Sequence, residues 1–127
     1  MLRLELRSVV VPLAVGGENL ILEVARQALA RIGSIFDFSV QPYLKPAGSF
    51  MIRVEANCDG IAAELIDELV ATAGGGGWTK SGDHDEIMAI WSAVEGASPP
   101  FAADVTWACL QTIPLVALPP SRRVFQS

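Results

Sequence analysis

The chain predicts an α+β fold: an antiparallel sheet of about five strands with two helices on one face. Three observations carry that reading. Apolar residues alternate with polar ones in several short runs, which is the period of a half-buried strand. Two stretches instead space their apolar residues every three to four positions and end at glycine, as amphipathic helices do. The order of these elements is β-α-β-β-α-β-β with no internal repeat, which points to a ferredoxin-like split β-α-β with one strand added.

The first strand is "LRLELR", where Leu2, Leu4 and Leu6 alternate with Arg3, Glu5 and Arg7 before the run Val9 to Val11 and Pro12. One face is therefore buried and the other wet. After "GGENL", helical spacing runs from about Leu20 through Val24, Ala25, Ala28 and Leu29 to Ile32, and Gly33 is a natural stop. Phe36, Phe38 and Val40, then Phe50, Ile52 and Val54, form two alternating runs around "LKPAGS", which reads as a hairpin.

Asp59 is placed to cap a second helix whose apolar face is Ile61, Leu65, Ile66, Leu69 and Val70, ending near Ala73. "EIMAIWSA" and "VTWACLQTI" are the last strands, separated by a loop containing "GASPPF" and closed by Pro114. Residues 1–127 thus read as one domain, with 114–127 an extended tail because Pro119 and Pro120 forbid helix.

A chain of this length buries roughly two-thirds of its unfolded surface, enough for a core without metal or disulfide. Its composition, 51% hydrophobic and 18% charged, suits packed elements rather than disorder. Charges or Gly/Pro interrupt every candidate for a membrane span, and the alternating N-terminus does not resemble an export signal, so a cytoplasmic location is expected. Cys58 and Cys109 read as two buried thiols. The net charge of −5 opposes direct contact with nucleic acid and suits a basic partner.

Four features bear on function. "GGGGWTKS", Gly74 to Ser81, is one residue from a phosphate-binding loop, but such a loop needs a strand before it and a helix after it. Here the order is reversed, so the run is expected to be a helix stop followed by a mobile linker. "SGDHDE" gathers Asp83, His84, Asp85 and Glu86 in a spacing that matches no metal loop; it reads as a solvated acidic turn, and His84 has no nucleophile partner for a triad. Trp91 and Trp107 fall inside strands and read as core, whereas Trp78 beside the glycines is a candidate exposed anchor. Glu64, Asp67 and Glu68 occupy the polar face of the second helix. No catalytic set, cofactor motif or metal-ligand spacing emerges.

The C-terminal half, "GWTKSGDHDEIMAIWSA" with "DVTWACLQ", resembles the closing segment of bacterial immunity proteins from contact-dependent growth-inhibition and other polymorphic-toxin systems. The likeness lies in the Gly77-Trp78 step, the acidic turn Asp83 to Glu86, a strand ending in Trp91, and Trp107-Ala108 in the last strand. It implies a non-enzymatic cytoplasmic protein that binds and neutralises a cognate toxin domain, frequently a nuclease. On that view Glu64, Asp67, Glu68, Trp78, Asp83, Asp85 and Glu86 form the contact surface: carboxylates meet a basic partner and Trp78 anchors it. The alternative is a small-molecule-binding regulatory or catalytic domain, with Arg3, Arg7 and Arg53 available to an anionic ligand. Association through sheet edges stays open as well.

Overall fold

The computed structural model describes residues 2–11, 17–31, 33–43, 48–93, 98–101 and 105–114. The tail beyond Pro114, and Ile32, which the sequence pattern places in the first helix, lie outside them. Six strands and two helices follow one another as β1 (Leu2–Val10), α1 (Gly17–Ala30), β2 (Ser34–Tyr43), β3 (Ser49–Cys58), α2 (Ala62–Ala73), β4 (Thr79–Asp83), β5 (Glu86–Ser92) and β6 (Val105–Pro114). They form one antiparallel sheet in the order β2-β3-β1-β6-β5-β4.

The α+β class stands, but the strand count and order depart from the expected pattern. There are six strands rather than about five, and the β4–β5 hairpin extends the sheet beyond β6. The extra strand is β4, hidden in "TKSGD", where glycine and aspartate mask any alternation. Helix bounds also move: α1 begins at Gly17 rather than near Leu20. The second helix is entered at Ile61, with no side-chain cap, rather than at Asp59.

Period-two alternation decides which face is covered. Leu2, Leu4, Leu6 and Val10 of β1, Ile52, Val54, Ala56 and Cys58 of β3, Ala89 and Trp91 of β5, and Ala108 and Leu110 of β6 are all buried. They meet Ala25, Ala28 and Leu29 of α1 and Ala62, Leu65, Ile66 and Leu69 of α2 in one cluster. Helix α1 lies over β2 and β3, and α2 over β5 and β6. Residues in between, such as Arg3, Glu5, Arg7, Arg53 and Glu55, share the opposite face, on which no described helix packs.

Two local devices hold the sheet's irregularities. The β1–β6 register shifts between Val9 and Val10, and the Thr106 hydroxyl donates to the Val9 carbonyl (3.1 Å) while the buried Ser8 hydroxyl donates to that of Trp107 (3.0 Å). Side-chain hydroxyls thus satisfy carbonyls beside the bulge. At the end of α1 the Gly33 N–H donates to the Leu29 carbonyl, and a Cβ on Gly33 would lie 2.4 Å from the Asn57 carbonyl oxygen. Glycine is required here for close approach to β3, in addition to stopping the helix.

Candidate interaction surface

Charge is distributed unevenly along the chain. Residues 60–93 hold six carboxylates and one lysine, a net of −5, while the remaining eight acids and eight bases cancel. The whole formal charge therefore belongs to α2, β4 and β5. In the fold these elements occupy one end of the sheet, with β4 as its edge.

Helix α2 turns Leu65, Ile66 and Leu69 into the core, which leaves Glu64, Asp67 and Glu68 exposed on its outer side. The ion pair from Lys80 to Asp67 ties this helix to β4. Between them lies a shallow groove of about 170 Å³ lined by Ala63, Asp67, Lys80, Ser81, Gly82 and Ile87. Gly82 is required by the hairpin itself: it has φ +95, and a Cβ there would meet the Glu86 carbonyl oxygen at 2.0 Å.

The acidic turn is a two-residue hairpin connection. Asp83 pairs with Glu86, and His84 takes a positive φ of 54 to reverse the chain, as tight hairpins require at their first turn position. Its other side is anchored by Thr112, whose buried hydroxyl donates to the Asp85 carbonyl (2.9 Å) and accepts from the Ile87 N–H (3.0 Å). Asp83, Asp85 and Glu86 are all exposed.

The anticipated residues do not form one flat patch. Alternation along β4 and β5 puts Lys80, Gly82 and Ile87 on the helix side of the sheet, and Asp83 and Glu86 on the open side. The α2 acids and the hairpin acids Asp83 and Glu86 therefore lie on opposite faces of this end of the sheet, with Asp67 tied to β4 and Asp85 at the hairpin tip.

Trp78 is not an exposed anchor. It is half-buried against the core, and its indole N–H donates to the Gly74 carbonyl at 3.0 Å. Nor is the glycine run a loose linker. The buried Trp91 donates its indole N–H to the Gly76 carbonyl at 2.8 Å, Gly74 N–H closes α2 on Val70, and Phe101 N–H reaches the Ala73 carbonyl. Left-handed backbone at Gly74, Gly75 and Gly77 lets the chain thread between these anchors. A helix precedes the run and a strand follows it, so the run does not open a helix.

Sequence reasoning missed the groove residues Lys80, Ser81 and Gly82, because they belong to the unrecognised β4. It did point to Arg3, Arg7 and Arg53, which lie together on the open face. There Arg7 stands directly opposite Arg53, and Glu5 opposite Glu55. Like charges facing across strands are unfavourable, so the ion pairs run along strands and diagonally: Arg7 to Glu5 at 3.1 Å, Arg53 to Glu5 at 3.3 Å and Arg53 to Glu55 at 3.8 Å.

Arg7 also stacks on Trp107, 5.8 Å from the ring centroid, and covers Cys109. Burial pushes the Cys109 thiol up despite the neighbouring guanidinium, and burial with the nearby Asp59 charge pushes Cys58 up as well. Both are protonated at neutral pH, the unreactive form. Among the described residues no group of three or more His, Cys, Asp or Glu is placed to hold a metal ion, and no helix is long and apolar enough to cross a membrane. Comparison with protein-family models, with curated proteins and with solved structures returns no match.

Proposed function

We propose that this chain is a cytoplasmic immunity protein that binds and neutralises a cognate toxin domain, with no enzymatic activity of its own. The observation that carries the reading is the segregation of the entire −5 charge onto one end of the sheet, with exposed carboxylates on both sides of the β4 edge. Such a field attracts a basic surface and speeds encounter with it. A toxin that handles nucleic acid carries that kind of surface, because it must neutralise phosphates. The resemblance of the C-terminal half to immunity proteins agrees in kind. Glu64, Asp67, Glu68, Asp83, Asp85 and Glu86 are the proposed contacts, while Trp78 serves the fold behind them.

The test is co-expression with the variable C-terminal domain of any large secreted protein encoded beside this chain's gene, together with a panel of nuclease toxin domains. Restored growth together with a co-purifying complex is expected. Toxicity undiminished by this chain, with no complex, contradicts the reading.

A second reading, binding of a small anionic ligand, draws on the three arginines of the open face. Glu5 and Glu55 already engage two of them, so a ligand has to compete with these carboxylates. Stabilisation by about 2.7 kcal/mol at 100 times the dissociation constant of a screened ligand would favour it.

A further inference from the structure

The two edges of the sheet are built differently. Edge strand β4 is five residues long, polar and charged, a pattern that discourages strand addition. Edge strand β2 has ten residues with Asp37 as its one charge, and it holds three of the four exposed large apolar side chains among the described residues: Phe36, Phe38 and Tyr43. Its outer backbone has no strand beside it among the described residues. This edge is independent of the acid-rich end and lies farthest from it in strand order.

We infer that a second copy of this chain pairs with β2, antiparallel about a two-fold axis through Phe38, to form a continuous twelve-stranded sheet. The register follows from charge. On the open face, Asp37, Glu55 and Glu5 make one row across β2, β3 and β1, and Ser39, Arg53 and Arg7 make the next. With Asp37 of one copy opposite Ser39 of the other, each acidic row runs on into the other copy's basic row. Like charges that face one another within a copy then continue, with neutral Ser39 between, into opposite charges across the axis.

The same register serves the apolar residues. Phe38, half exposed and touched by Arg26 (5.6 Å to the ring centroid), meets its symmetry mate at the axis on the helix side of the sheet. Arg26 is neutralised there by a two-pronged contact with Glu23. Phe36 is the extra residue of the β2 bulge, since the register with β3 shifts between Ile35 and Asp37. Past that bulge Val40 of one copy meets Ile35 of the other, both half-buried residues that pack on the core. Pairing ends with Gln41 against Ser34, and Pro42, which lacks an N–H, falls just outside it. Moving the axis one residue along, to Ser39, would place Asp37 opposite Gln41, in line with apolar Met51 and Val9.

Sedimentation of the full chain across a concentration series tests the inference, with twice the 13.5 kDa chain mass expected at about 100 μM. Phe38→Asp should return the chain to a monomer with an unchanged far-ultraviolet dichroism spectrum. Phe38→Cys should form a symmetric disulfide under mild oxidation, because directly opposed Cα atoms lie about 4.5–5.5 Å apart, within disulfide reach. Tyr43→Cys, outside the paired segment, should not. A wild-type chain that stays monomeric at that concentration overturns the dimer. Cross-linking of Tyr43→Cys as readily as Phe38→Cys overturns the register. If Phe38→Cys does not fold, the double variant Asp37→Cys/Ser39→Cys reads the same pairing, and no interchain bond in it also overturns the register.

Discussion

The two ends of the sheet solve the problem of charge in opposite ways. At the β1–β3 end, Arg7, Arg26 and Arg53 each meet a carboxylate, and acids and bases outside residues 60–93 cancel. At the α2–β4–β5 end, six carboxylates share the single base Lys80. Both ends lie on one sheet and one core, so the difference is not a demand of folding. An end that leaves like charges uncompensated weakens itself by self-repulsion, and it is there that an external basic partner gains most. What the acid-rich end lacks in ion pairs it makes up in buried anchors: the Trp91 indole on Gly76, the Thr112 hydroxyl on Asp85 and Ile87, and the Phe101 N–H on Ala73.

The largest effect should come from breaking those anchors. Trp91→Ala removes a side chain that is 1% exposed along with its hydrogen bond, and a loss of about 3–5 kcal/mol is expected in urea unfolding. Thr112→Val keeps the shape and deletes the hydroxyl, stranding the Ile87 N–H; a loss of about 1–3 kcal/mol is expected, with faster hydrogen exchange at that amide. Gly75→Ala puts a Cβ 2.8 Å from the Ser98 carbonyl oxygen at φ +78, so a cost of about 1–2 kcal/mol or more is expected, read as a lower thermal midpoint. Gly76→Ala, whose Cβ meets nothing within 4 Å, is the control and should change little. Smallest of all, Asp67→Asn breaks an ion pair whose partners are more than half exposed and should cost less than about 1 kcal/mol. Equal losses for Thr112→Val and Asp67→Asn would dissolve the contrast between anchored backbone and dispensable surface charge.

Much of this architecture was legible in the residues. Leucines 2, 4 and 6 alternate cleanly because one face of β1 is buried and the other wet, and the apolar stripe of α2 is equally regular. What failed did so for identifiable reasons. Strand β4 consists of "TKSGD", fully exposed at the edge, so no burial pattern marks it. Glycines 74 to 77 suggest looseness in sequence, but their constraint comes from Trp91, Phe101 and Pro100, which are distant in the chain. Trp78 differs from expectation for a local reason: its indole N–H donates to a backbone carbonyl of that run, and nothing in residue type announces such a bond. The acids of the proposed surface were identifiable one by one. Their division between the two sides of β4 follows from a strand that composition conceals.

The central claim, that the acid-rich end meets a basic toxin domain, is tested most directly by binding measurements against that domain with matched neutralisations. One variant carries Glu64→Gln, Asp83→Asn and Glu86→Gln; the control carries Glu23→Gln, Asp37→Asn and Glu55→Gln. The first should bind at least about tenfold more weakly, chiefly through a slower, less salt-dependent association rate, and the control should stay within about twofold of the parent. Equal affinity for the first variant, or an equal loss in the control, would contradict the account.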